Sequence, residues 1–115
     1  KSVCFVCYHG MATSVFYMMD FEDYLSKMRV HNVHVCNSGV EESPPFCKNF
    51  YKVDKFYLKN SDVVVATLGG GIEKIINKRF KPKGKVFNLG DFVRNSENPK
   101  EPNWEAKVYE LLMQK

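Results

Sequence analysis

The sequence predicts an α/β domain in which a parallel sheet lies between helices, and three observations carry that expectation. Four short apolar runs, at residues 2–6, 31–36, 62–68 and 85–89, are each followed by a glycine-bearing turn. The segments between them place apolar residues at helical steps of three and four. The 115 residues, 44% hydrophobic and 26% charged, suffice for a single domain over 1–115 that buries roughly two-thirds of the surface its unfolded chain exposes. Strands alternating with helices imply right-handed crossovers and a parallel sheet in three α/β/α layers.

Each element has its own signature. Residues 2–6 (SVCFV) form an apolar run ending at Cys7 and the turn Tyr8-His9-Gly10, which reads as a buried parallel strand. A helix starts at Thr13 or Ser14, a good N-cap pair, with Val15, Met18, Met19, Tyr24, Leu25 and Met28 along one side. Arg29 closes its last turn, where a cation suits the helix dipole. Residues 31–36 (HNVHVC) alternate as a second strand and stop at Asn37-Ser38-Gly39. After Ser43-Pro44-Pro45, Phe46, Phe50, Val53, Phe56, Tyr57 and Leu58 predict an amphipathic helix laced with lysines. Residues 62–68 (DVVVATL) are the clearest buried strand. Gly69-Gly70-Gly71 then leads into a helix carrying Ile72, Ile75, Ile76 and Phe80, which Pro82 and Gly84 end. Residues 85–89 (KVFNL) make the fourth strand, 91–103 a polar loop, and 104–113 a closing helix with Val108, Leu111 and Leu112 inward.

Composition narrows the function classes. No apolar run approaches the roughly 20 residues of a bilayer span, and no basic-then-apolar leader with a cleavage site is visible. A net charge of +4 is too small to argue for nucleic acid. The basic residues are densest at Lys74, Lys78, Arg79, Lys81, Lys83 and Lys85, which read as a solvated helix face and loop or as a turn that meets phosphate or an acidic partner. Of the four cysteines, Cys4 and Cys36 lie in strand-like runs and behave as small hydrophobes. Cys4-x-x-Cys7 copies a redox spacing, but a redox pair begins at a helix start and Cys4 lies inside a strand. No second Cys/His pair completes a zinc set, so neither metal nor cofactor is expected. Such cysteine usage fits a reducing, cytoplasmic compartment.

In an open α/β sheet, ligands bind beyond the carboxyl ends of the strands. The loop Cys7-Tyr8-His9-Gly10-Met11-Ala12-Thr13-Ser14 runs from a strand end into a helix N-terminus, where converging N–H groups and the helix dipole make an anion site. The same field lowers a thiol pKa and suits Cys7 to be a nucleophile. Gly10 lets the backbone approach a ligand, and Thr13 and Ser14 offer hydroxyl donors. The alternative is a buried strand-end cysteine beside an ordinary helix cap.

This strand, Cys, five residues, then Ser at a helix start resembles the low-molecular-weight protein tyrosine phosphatases, whose motif is C-x5-R-S. Further stretches are similar: 34–39 to that family's second strand and Ser-x-Gly turn, 61–66 to its third strand, 85–92 to the strand before its acid loop. Glu101-Pro102-Asn103-Trp104 falls where the family has Asp-Pro-aromatic. The resemblance implies a four-stranded phosphatase-like sheet of order 2-1-3-4. It also implies Cys7 as nucleophile, 8–14 as phosphate cradle, Glu101 or Asp91 as general acid, and Ser38 and Trp104 facing substrate, the alternative for Trp104 being partial core. Two departures bear on mechanism. The motif arginine is Thr13, and a hydroxyl does not replace a planar charged fork, a loss worth about 3 kcal/mol of barrier in comparable oxyanion sites. The acid is Glu101, one methylene longer than Asp.

The loop's own residues resemble a second family, the cellobiose/lactose-type IIB subunits of the sugar phosphotransferase system, with C-x-x-G-M-x-T-S matched by Cys7, Gly10, Met11, Thr13 and Ser14. There the cysteine carries a phosphoryl group between proteins and sugar. Three readings follow: a divergent phosphatase-like protein with weak, altered or absent hydrolysis, a phosphocysteine carrier with a phosphotransfer partner, and a non-catalytic module that binds an anion or a protein. The expected ligand is a phosphate-bearing small molecule or phosphoprotein.

Overall fold

The centre of the molecule is made by the residues that suit a strand covered on both faces. The computed structural model describes residues 1–10, 12–41, 53–68, 70–94 and 103–114. Strand β1 (Ser2–Val6) and strand β3 (Val63–Ala66) pair with each other, and residues 3–6 and 63–66 are fully buried. A strand without a solvent face needs no polar alternation, which is why both read as continuous apolar runs. Strand β2 (His34–Ser38) lies on the far side of β1 and strand β4 (Lys85–Asn88) on the far side of β3. All pairs are parallel and the order is β2-β1-β3-β4, as the resemblance implied.

Successive side chains of β1 and β3 enter two cores. On one face Val3, Phe5, Val63 and Val65 meet Phe21 and Leu25 of helix α1 (Thr13–Lys27) and Trp104, Val108 and Leu112 of helix α5 (Trp104–Met113). On the other face Cys4, Val6, Val64 and Ala66 meet Leu58 of helix α2 (Lys55–Asn60) and Ile72 of helix α3 (Gly70–Ile75). Ile76 joins that second core from a π-helical turn (Ile76–Phe80) that continues α3. Burying each such side chain contributes about 1.5–3 kcal/mol, so the sheet is stabilised from both sides. No described helix is long and apolar enough to cross a membrane.

Three boundaries differ from the sequence expectation, each with a structural reason. The second strand lies at His34–Ser38 rather than 31–36, because pairing with β1 runs from His34 opposite Ser2 to Ser38 opposite Val6 and carries polar Asn37 and Ser38 into the ladder. The lysine-laced helix is, in its described part, the short α2, capped by Asp54 Oδ1 accepting from Tyr57 N at 3.0 Å; residues 42–52 of that expectation lie outside the described residues. The third helix ends where Pro82 predicts, at Lys81 with a left-handed φ of 46°, but its second half is a π-helical turn. The expected loop after β4 begins with helix α4 (Leu89–Arg94). Asn88 Oδ1 accepts from Asp91 N at 3.0 Å and initiates a turn too short to leave a periodic signal.

This strand order places the topological switch point between β1 and β3, since the chain leaves β1 toward β2 and returns to β3 on the other side. The crevice beyond their carboxyl ends is where ligands bind in open sheets of this kind. Cys7 and Leu68, from the two adjoining connections, both line a pocket there.

Candidate functional site

The loop after β1 is held from three directions. Cys7 N donates to Ser38 O at 3.1 Å, so β2 carries the strand pairing one residue into the loop. From the β3 side, Thr67 N and Thr67 Oγ1 both donate to Val6 O, at 3.0 and 2.8 Å. The turn after β2 then clasps the loop itself. Tyr8 O accepts from Val40 N at 2.9 Å and Glu41 N at 3.0 Å, and Asn37 Nδ2 donates to Gly10 O at 2.7 Å. The two backbones approach so closely that a Cβ on Gly39 would stand 2.5 Å from the His9 carbonyl carbon; only glycine fits there.

Within the clasp the loop turns its donors onto one atom. Gly10 adopts φ 70°, open to glycine, and its N–H donates to Cys7 Sγ at 3.1 Å. Ser14 Oγ lies 3.2 Å from the same sulfur; the thiol donates to this hydroxyl, and the thiolate accepts from it. Ser14 is fully buried with its side chain committed to the sulfur. The first turn of α1 has no acidic residue, so the positive end of the helix dipole is not neutralised. Burial is the largest single influence on the Cys7 thiol and pushes its pKa up. The Ser14 side chain and the backbone N–H groups of Ser14, Gly10 and His9 together outweigh it and hold the thiol below its ordinary value.

The sulfur opens onto a pocket of about 210 Å³ lined by Cys7, Tyr8, His9, Ala12, Thr13 and Leu68. His9 is half-exposed at its wall, and its Nε2 sits 3.2 Å from Glu41 Oε2, which orients the ring. A larger cavity of about 310 Å³ lies at the opposite edge of the sheet, among residues such as Ser61, Lys83 and Leu112, away from Cys7. Of these two, the smaller pocket holds a thiol with donors aimed at it.

The sequence-predicted residues sort clearly. Cys7, Tyr8, His9, Gly10, Ala12, Thr13 and Ser14 come together in or around the pocket. Met11 and Glu101, like Cys47, lie outside the described residues. Asp91 is on α4, at the same edge of the sheet but not among the pocket-lining residues. Its carboxylate accepts from Asn88 Nδ2 at 2.8 Å and pairs with Arg94 at 3.6 Å. The expectation that Trp104 and Ser38 face substrate does not hold. Trp104 is 6% exposed and packs its ring against Phe5, Tyr17 and Phe21, the apolar environment its large ring favours. Ser38 is buried, and its hydroxyl donates to Gly39 O and accepts from Asp54 N, both at 2.8 Å, so it holds backbone. Cys4, Cys7 and Cys36 are all buried, and Cys4 packs in the second core with Val6, Val64 and Ala66.

Four participants escaped the sequence reading: Asn37, Gly39 and Glu41, which clasp the loop, and Leu68, which closes the pocket. Their only signal was position, in turns that follow the strands flanking β1.

A four-stranded parallel sheet of order β2-β1-β3-β4 with helices on both faces defines a phosphatase-like α/β fold. No protein-family model and no curated protein matches the chain. Solved structures do. Over 97% of its length the chain is similar to a low molecular weight protein tyrosine phosphatase from Bacillus subtilis, covering 92% of that chain at 21% identity and TM-score 0.61. It is similar over 97% to the YwlE arginine phosphatase, in a mutant with a phosphorylated active-site serine (91% of that chain, 20% identity, TM-score 0.61). It is also similar over 97% to Primo-1 (92% of that chain, 16% identity, TM-score 0.60). The fold of this protein is that of the low-molecular-weight protein tyrosine phosphatases.

Proposed function

We propose that the 7–14 loop binds a phosphoryl group and that Cys7 takes it up as a phosphocysteine, with slow hydrolysis of a phosphate-bearing small molecule or phosphoprotein. The observation that carries this reading is the convergence of Gly10 N–H and the Ser14 hydroxyl on the Cys7 sulfur at the floor of an open pocket. Those donors favour the thiolate and stand where an oxyanion seated against the sulfur meets the loop's N–H groups and the α1 dipole.

In the proposed sequence the Cys7 thiolate attacks phosphorus, an S–P bond forms and the P–O bond to the leaving group breaks. The leaving oxygen takes a proton from Glu101, the residue at the acid's place in the resemblance; Asp91 is the less suited carboxyl because Asn88 and Arg94 already engage it. Water then cleaves the S–P bond, releasing inorganic phosphate and restoring the thiolate. With Thr13 where an arginine clamp would spread the transition-state charge, both steps are slow. His9, oriented by Glu41, supplies one further donor at the pocket wall. The sequence's cysteine usage, small buried residues in and beside strands, suits work in a reducing, cytoplasmic compartment.

The test follows phenol release and protein mass together during incubation with a chromogenic aryl phosphate. Turnover with a transient phosphoprotein, both lost in Cys7→Ser, is expected. Release that persists in Cys7→Ser sinks the reading. A phosphocysteine that accumulates and passes its phosphate only to a protein acceptor replaces hydrolysis with carrier chemistry of the IIB type. No release and no phosphoprotein leaves a binding module.

A further inference from the structure

The proposed chemistry uses the carboxyl edge of the sheet and leaves the densest charge in the molecule unexplained. Residues 55–85 carry eight Lys and Arg against two acidic residues, whereas the rest of the chain carries nine against eleven. The whole positive excess therefore belongs to one flank, and the remainder is slightly acidic.

Folding gathers that flank together. Helix α2 packs against the π-helical turn, and Lys83 N donates to Lys59 O at 2.9 Å, which brings the end of α2 beside the turn before β4. Lys59, Lys74, Lys78, Arg79, Lys81 and Lys83 are all exposed. None of the six forms an ion pair with any described residue, while exposed Lys27, Arg94 and Lys107 elsewhere each have an acidic partner. Unpaired like charges held close together repel one another, so such a cluster lowers its own stability until an anion meets it. Lys83 also lines the 310 Å³ cavity together with Asn60, Ser61, Asp62, Gly84 and Lys85. In that wall Ser61 Oγ is buried with no hydrogen-bond partner, and Asp62 already accepts from Ser2 N at 2.8 Å. The flank thus has a concave end with an unused hydroxyl beside its ammonium groups.

We propose that this flank, formed by α2, the π-helical turn and the turn into β4, docks a short acidic segment of a partner protein. Charge complementarity selects an acidic occupant. The slightly negative remainder of the chain selects a short one, since a long uniform polyanion such as nucleic acid would run off the flank onto acidic surface. Five of the six unpaired groups are lysines, flexible point charges that meet carboxylates without the planar geometry an arginine fork brings to phosphate. The docking face and the Cys7 pocket lie at opposite edges of the sheet, so a bound partner leaves the loop open.

A fluorescent oligoglutamate peptide, measured by anisotropy at low and at physiological salt, tests the proposal. Saturable binding that weakens with salt is expected. Lys78→Glu/Arg79→Glu/Lys83→Glu should weaken it by about tenfold or more, while a charge-matched Lys27→Glu/Arg29→Glu/Lys107→Glu variant and Cys7→Ser bind as the parent does. Unchanged circular dichroism in each variant keeps a loss from being read as unfolding. Absence of peptide binding at low salt, or equal losses in the two charge-reversal variants, overturns the proposal. Tighter binding of a thymidine oligonucleotide of equal charge, or of anionic vesicles, at physiological salt overturns it as well. Retention in Cys7→Ser separates its fate from that of the phosphoryl chemistry.

Discussion

Cys7 and Asp91 both stand at the carboxyl edge of the sheet, one just past β1 and the other just past β4, yet they are built in differently. Cys7 is 5% exposed, its backbone is tied to β2, and its sulfur receives donors from residues three and seven positions on. Asp91 is half-exposed, and its carboxylate engages groups of its own turn, Asn88 and Arg94. The first region turns its own donors onto one sulfur, and its backbone is held by the neighbouring strands. The second satisfies itself locally and would stay in place if the pocket vanished. Two groups at one edge of a sheet are therefore not equal candidates: a loop whose own donors converge on one buried atom, and whose backbone is pinned by the neighbouring strands, differs from a capped turn.

That contrast can be pushed in four ways. The largest change is expected from Thr13→Arg, which restores a bidentate clamp at the pocket wall. Aryl phosphate turnover should rise by about a hundredfold, and less with Thr13→Lys, which lacks the fork. No gain in kcat/KM would mean that the missing arginine is not what limits the loop. Next, Gly39→Ala forces a Cβ into the His9 and Tyr8 backbone and should cost about 2 kcal/mol or more, read as a lower melting temperature together with lost turnover. An unchanged melting temperature would remove the clasp from the account.

Smaller effects are expected at the sulfur. Iodoacetamide labelling of Cys7 as a function of pH should show a midpoint below that of a free cysteine, and Ser14→Ala should move it up. The sign for stability follows from the same shift. Because the folded thiol pKa lies below the unfolded value of about 8.5, this group's contribution is complete above that value and is lost as pH falls through the folded one. A midpoint that ignores Ser14 would break the claim that its hydroxyl serves the thiolate. The smallest change is expected from Asp91→Asn, within about threefold in kcat on an unactivated alkyl phosphate. A drop of about a hundredfold there would make Asp91 the acid and erase the contrast with Cys7.

Much of this was readable from local pattern. The apolar runs placed β1, β3 and β4 to within a residue or two, and the step from Cys7 through Gly10 to Ser14 marked a loop entering a helix. Helix α4 was not readable, since a six-residue helix initiated by Asn88 offers no period to detect. Nor was the inward turn of Trp104, because the same residue at a helix start serves equally as a core ring or a substrate platform. Its environment depends on Phe5 and Phe21, residues far away along the chain that are brought close only by the packing of α1 and α5 on one face of the sheet.

The sequence by itself determined the alternation of strand and helix, the cysteine at the end of the first strand and the absence of an arginine six positions later. These are properties of neighbouring residues: apolar spacing, turn chemistry and the donor inventory of one loop. Only the tertiary structure decided that Asn37, Gly39 and Glu41 clasp that loop, that Ser38 holds backbone, and that the lysines of 55–85 gather on one flank. Those facts depend on β2 lying in register beside β1 and on α2 packing against the turn after α3. Pairings between residues thirty positions apart leave no trace in any short stretch of chain, because strand order and register, not local propensity, bring them into contact.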